Sequence, residues 1–216
     1  MALTLVIGNK VYSSWSFRPW IAMAYFGLDF REIVIPLRSP ETKTSILKYS
    51  PNGKVPALID GETVVWETLA ILDYLNEFHL GGRLWPKDKA AQGMARSIAA
   101  EMHGGFAALR QQCPMDMRRT PASIPLNHEV AAQIERLEAM WSEARNKFGH
   151  GGPFLFGAFS GADAMYAPVV FRLDNYMVPV KPEIRAYMDA MMALPAWKVW
   201  LDAALKEPWV FKDDVL

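Results

Sequence analysis

A single cysteine, Cys113, leaves no partner for an internal disulfide and is consistent with a reducing cytoplasm. Neither sign of charge is in excess: 23 Lys and Arg are matched by 23 Asp and Glu, with no long charge run. That balance disfavours nucleic acid or an anionic membrane as partner. No apolar run approaches the roughly 18 residues of a membrane span. The start of the chain lacks the basic stretch and long apolar run of a secretory signal. The histidines, His79, His103, His128 and His150, lack metal-ligand spacing, so no metal is expected. What remains is ordinary globular composition, 51% hydrophobic and 21% charged over 216 residues, enough for one large domain or two small ones.

Leu3, Leu5 and Ile7 alternate with Thr4, Val6 and Gly8, which predicts a strand. Phe17 to Phe26 reads as helix, with Gly27 as its stop, and Arg31 to Pro36 as a second strand. Ser39 to Ser50 is polar and holds a short helix at most. Val55 to Ile59 and Thr63 to Trp66 are strands joined at Asp60-Gly61, a hairpin signal. Glu67 to Phe78 is helical, with Leu69, Leu72 and Leu75 on one face. Residues 1–80 therefore predict a mixed sheet covered by helices. Residues 81–89, with Gly81-Gly82 and Pro86, read as a linker. From 90 to 216 only helical periodicity appears: a stripe Met94, Ile98, Met102, Phe106 and Leu109, a second from Val130 to Ala144, then Ala162 to Tyr176, Pro182 to Leu194 and Ala196 to Leu205.

Three serines, Ser13, Ser14 and Ser16, stand where the first strand meets the first helix. Pro19 is tolerated only in a first turn, which makes Ser16 the expected N-cap. Ser13 and Ser14 are then loop serines, either inert or placed where hydroxyls and a helix dipole suit an anion. Val55-Pro56 at the mouth of a strand is either a turn proline or a cis bond that frees the Val55 backbone for an extended peptide. Glu67-Thr68 opens a helix. Thr68 is its expected cap, and the pair is either a simple cap or a seat for a carboxylate beside an ammonium.

Together, Ser-Ser-Trp-Ser-Phe-Arg (13–18), Asn-Gly-Lys-Val-Pro-Ala-Leu (52–58) and Trp-Glu-Thr-Leu-Ala-Ile-Leu-Asp-Tyr-Leu (66–75) resemble the serine-type cytosolic glutathione transferases, closest to the zeta and tau classes. The resemblance covers about residues 3–79; beyond that it is carried best by Phe154 to Asp163, read physically as a capping box of Ser160 and Asp163. It implies an α/β thioredoxin-like N-terminal domain followed by an all-α C-terminal domain, and usually a homodimer. It implies glutathione as co-substrate and a small hydrophobic electrophile as the second substrate, a detoxification chemistry. Ser13 would donate to the glutathione sulfur, with Ser14 as runner-up or second donor. Val55 would pair with the cysteinyl backbone, Glu67 and Thr68 would hold the γ-glutamyl end, and Lys54 could approach a carboxylate. Trp15 stands where the zeta pattern usually has cysteine, which weakens a specific reading as maleylacetoacetate isomerase and removes the thiol a reductase would need. For the acceptor pocket, the candidates are Trp15, Met102, His103, Phe106, Met115 and Met117, although such a stripe is more often simply core. The alternatives are a glutathione-dependent isomerase and a non-catalytic member that binds ligands or proteins.

Overall fold

The computed structural model describes residues 2–210. Its first part contains β1 (Leu3–Gly8), α1 (Ser14–Tyr25), β2 (Phe30–Ile35), α2 (Thr42–Leu47), β3 (Ala57–Asp60), β4 (Thr63–Trp66) and α3 (Thr68–Phe78). The strands form one sheet in the order β2-β1-β3-β4, with β1 parallel to β2 and the other pairs antiparallel. Strand β1 is buried along its whole length because it lies between two neighbours and under helices on both faces. Alternation sends its side chains to different cores. Leu3, Leu5 and Ile7 join the main core with α1 and α3, whereas Val6 packs with Ile35, Ile46 and Ala57 under α2.

From residue 89 to 205 the regular elements are helices: α4 (Lys89–Gly104), α5 (Ala107–Gln112), α6 (His128–Phe148), α7 (Gly161–Asn175), α8 (Pro182–Met192) and α9 (Pro195–Leu205). This is a thioredoxin-like α/β part followed by a helical part. The main core runs without a break from Leu5 in the sheet to Trp200 in α9. Helix α7 supplies much of it and is buried on nearly every side, so the two parts share one apolar interior. Ser160 and Asp163 form the expected capping box at its start. Asp163 also accepts from the Leu155 N–H at 3.1 Å, and burial pushes its carboxyl up to about 6 against those hydrogen bonds.

Three local expectations are corrected. First, α1 begins at Ser14 with Ser13 at its N-cap, not at Ser16. The Ser16 hydroxyl is engaged elsewhere: it accepts from the Gly8 N–H at 3.1 Å, satisfying a buried donor at the end of the central strand. Pro19 therefore lies inside the helix and offers no N–H to the carbonyl of Trp15. Second, Glu67 is the N-cap of α3 and Thr68 is its first residue, the Thr68 hydroxyl being turned across to α1. Third, the stripe from Met94 to Leu109 is not one helix. It breaks at Gly105-Phe106, where Phe106 takes φ 56°.

Candidate active site

Two helix N-termini meet at one cleft. Pro19 leaves the Trp15 carbonyl without its helical donor, and the Thr68 hydroxyl stands 3.4 Å from that oxygen. The contact ties the first turn of α1 to the first turn of α3. First-turn N–H groups lack intrahelical acceptors, and the two dipoles add, so the junction favours negative charge.

The cleft encloses about 310 Å³, lined by Trp15, Asn52, Lys54, Val55, Pro56, Glu67, Thr68, His103 and Arg110. This is at the small end of ligand-site volumes. Its floor comes from the turn before β3, where the Val55-Pro56 bond is cis, one of the two readings left open for the proline at the strand mouth. In that turn the Asn52 side-chain oxygen accepts from the Ser50 hydroxyl at 2.8 Å and the Lys54 N–H at 2.9 Å. The turn thus fixes Asn52 and Lys54 together.

Glu67 is the acid of the cleft. Its backbone sits at φ 69°, ψ 128°, a region that is costly for a residue with a Cβ. Its carboxylate receives the Asn52 amide at 3.1 Å on one oxygen, and His103 Nε2 lies 3.5 Å from the other. The group is thus oriented from both sides yet half exposed, free to take a further cation. Burial lowers the His103 pKa; Glu67 opposes the shift, while Arg18 and Arg110 reinforce it. The balance of these effects favours the neutral imidazole.

On the other wall, Trp15 is packed among cations. The Arg18 guanidinium lies 3.9 Å from its ring centre and that of Arg110 5.3 Å, with His103 edge-on at 5.3 Å. Arg18 is fully buried. Its Nε donates to the Met165 carbonyl at 2.9 Å, and both terminal nitrogens lack a protein acceptor. Burial, with Arg172 and Arg110 nearby, holds its pKa well below the usual arginine value.

Trp15, Lys54, Val55, Glu67, Thr68 and His103 are thus brought to one cavity. Ser13 and Ser14 are not among the residues that line it: both are buried at the start of α1, next in the chain to Trp15, which does. The Ser13 hydroxyl donates to Ser16 Oγ at 2.7 Å. Met102, Phe106, Met115 and Met117 are packed into the core instead of the cleft wall. Cys113 is fully buried as well, and burial pushes its thiol pKa up. Asn52, Pro56 and Arg110 line the cleft but were not singled out as site residues in the sequence. Asn52 carried a usable signal, an Asn-Gly turn that predicts side-chain bonding to its own backbone. Arg110 carried none, because its arrival depends on the break at Gly105-Phe106.

Comparison with known proteins agrees with this architecture. Residues 12–77 match the family profile "Glutathione S-transferase, N-terminal domain", and residues 127–203 match "Glutathione S-transferase, C-terminal domain". A probable maleylacetoacetate isomerase of Caenorhabditis elegans is 34% identical over 195 residues, covering 87% of this chain and 90% of that protein. The chain belongs to the glutathione S-transferase family. A zeta-class glutathione S-transferase of Euphorbia esula is 43% identical to the transferase over 92 residues, covering 41% of each chain. Among solved structures, a glutathione transferase homologue from Burkholderia with bound glutathione superposes with a TM-score of 0.70 at 20% identity. The match covers 95% of this transferase and 98% of that chain. At that identity it bears on the fold alone.

Proposed function

We propose that the transferase lays glutathione across this cleft, with its sulfur at the N-terminus of α1 and its γ-glutamyl end at Glu67. The α-ammonium then meets the Glu67 carboxylate, and the adjacent carboxylate meets the first N–H groups of α3 beside Thr68. Val55 pairs with the cysteinyl backbone in the manner of an added strand, and Lys54 takes a carboxylate. At the far end the Ser13 hydroxyl, with Ser14 beside it, donates to the thiol sulfur. An unperturbed thiol titrates near 8.5, so a donor and a helix N-terminus shift it toward the thiolate at neutral pH. The thiolate attacks a small electrophile seated against Trp15 and His103. The thiol proton leaves to solvent. As the S–C bond forms, either the electrophile's bond to its leaving group breaks and that group departs as an anion, such as halide, or its π bond opens and the resulting carbanion takes a proton from solvent. The conjugate is the product of a detoxifying reaction.

The observation that carries this reading is the joining of the two helix N-termini through Thr68 and Trp15, 3.4 Å apart. A thiolate and a carboxylate of one tripeptide need two such ends in one cleft. Calorimetric titration with glutathione, followed by conjugation of an aryl halide, tests it. No heat of binding and no turnover would reject the proposal.

A second reading is an isomerase in which glutathione adds reversibly to an acidic substrate. Arg110 on the cleft wall favours it, because a guanidinium matches a carboxylate bidentately. Turnover of a cis-enedione acid without consumption of glutathione would select this reading.

We also place the boundary between the two domains within residues 81–89. Half-exposed Trp66 and exposed Phe78, on neighbouring elements, support a homodimer, which light scattering would test. A cytoplasmic location accords with the buried, unpaired Cys113. No described helix is long and apolar enough to cross a membrane.

A further inference from the structure

We propose that Glu207 is a positioning residue, which holds the loop that presents Ser13; the inference rests on the assignment of Ser13 to the glutathione sulfur. The loop between β1 and α1 bonds outward, to the helical part of the chain. Glu207 follows α9, and one of its carboxylate oxygens accepts from the Lys10 N–H at 2.7 Å. The other accepts from the Val11 N–H at 3.1 Å. Trp200 Nε1 donates to the Lys10 carbonyl at 3.1 Å, and the Met117 N–H donates to the Val11 carbonyl at 3.1 Å. All four backbone polar groups of these two buried residues therefore depend on α9, the segment after it and the segment after α5. Two successive N–H groups converging on one carboxylate form an anion nest filled from within the chain.

Glu207 is itself fixed. The Arg118 guanidinium donates to the carbonyls of Glu207, of Trp209 at 2.8 Å and of Ala204 at 3.4 Å. The link onward to Ser13 is short. The Ser13 N–H donates to the Asn9 carbonyl at 2.8 Å, and the Tyr12 N–H to the same oxygen at 3.1 Å, so residues 9–13 close one turn. A displacement at Lys10 and Val11 is passed to Ser13 without slack, and buried N–H groups cannot be left unpaired in the displaced state.

The test uses the full chain and compares Glu207→Ala, Glu207→Gln and Ser13→Ala with glutathione and an aryl halide. It reads kcat, KM for glutathione and the apparent pKa of the bound thiol from its thiolate absorbance. Glu207→Ala should lower kcat by about tenfold to a hundredfold, as a misplaced reacting group does. It should also raise the thiol pKa and leave KM for glutathione within the same order of magnitude. Added formate should restore part of the rate by refilling the nest, and Glu207→Gln should retain more activity than Glu207→Ala. Unchanged kcat and thiol pKa in Glu207→Ala would overturn the inference. So would a loss that follows the folded fraction alone, with no formate rescue and no difference between Gln and Ala. The two assignments separate cleanly. If Ser13→Ala moves the thiol pKa and Glu207→Ala does not, the positioning role fails alone. If Glu207→Ala moves it and Ser13→Ala does not, the Ser13 assignment fails and the loop positions another donor.

Discussion

The Ser13 hydroxyl donates to Ser16 Oγ at 2.7 Å, inside its own helical turn. The same Ser16 oxygen accepts from the Gly8 N–H at 3.1 Å, so one hydroxyl joins the end of the central strand to the helix start. For Ser13 to serve a thiolate it must exchange this acceptor for the sulfur. That exchange requires a rotation about its side-chain bonds to another staggered position.

Replacing Ser13 with alanine should therefore affect chemistry more than binding. We expect kcat to fall about a hundredfold, the range seen when one donor to a developing anion is removed. The apparent thiol pKa should rise, and glutathione affinity should change little. A pH–rate profile identical to that of the parent protein would exclude the role.

Ser16→Ala should act on the fold first. It leaves the buried Gly8 N–H without its acceptor, a loss of about 1–3 kcal/mol. Urea unfolding provides the measurement. Stability equal to the parent protein would mean that water or a backbone shift takes over the Gly8 donor.

Glu67→Gln should weaken glutathione binding by about 1.5–3 kcal/mol, the scale of a hydrogen bond to a charged group. It has a second, independent readout. The Glu67 charge favours the protonated form of His103, 3.5 Å away, so its removal should lower the His103 pKa further below the usual histidine value. Proton NMR of the imidazole would show the shift. An upward movement would contradict the assigned geometry.

The sequence made the outline of this site readable and left its details to packing. Ser13, Val55 and Glu67 each stand at a junction of strand and helix or turn and strand, and such junctions are marked locally by serine, proline and polar caps. The helix start was misjudged by three residues, Ser16 for Ser13 as the N-cap, because the penalty for an interior proline is local, whereas its relief is not. The Trp15 carbonyl lost to Pro19 is met by Thr68, 53 positions away. The methionine stripe was ambiguous for a related reason. Periodicity shows that a face is apolar, not whether it faces a cavity or another helix.

Asp163 offers a prediction in pH. Its folded-state pKa, about 6, lies above the ordinary value of 3.8, because burial outweighs the hydrogen bonds it accepts. A raised pKa means that the folded state holds the proton more tightly. This contribution is fully present below the unfolded pKa and is lost as pH rises from about 4 through about 6. It amounts to roughly 2–3 kcal/mol across that window. Asp163→Asn, which cannot titrate, should flatten this part of the stability profile. Parallel profiles for the two proteins would show that Asp163 titrates normally.

By itself the sequence determined the order of strands and helices, the two-part organisation and the chemical types at each junction. These follow from periodicities of two and 3.6 and from capping and turn chemistry, all of which act within a few residues. Only the tertiary structure decided which groups face one another. It carried Arg110 to the cleft through a break at Phe106, sealed Met102 into the core and set the Glu207 carboxylate on the N–H groups of Lys10 and Val11. Those contacts span from tens to nearly two hundred positions. They depend on the shape of the shared apolar interior, which no local pattern encodes.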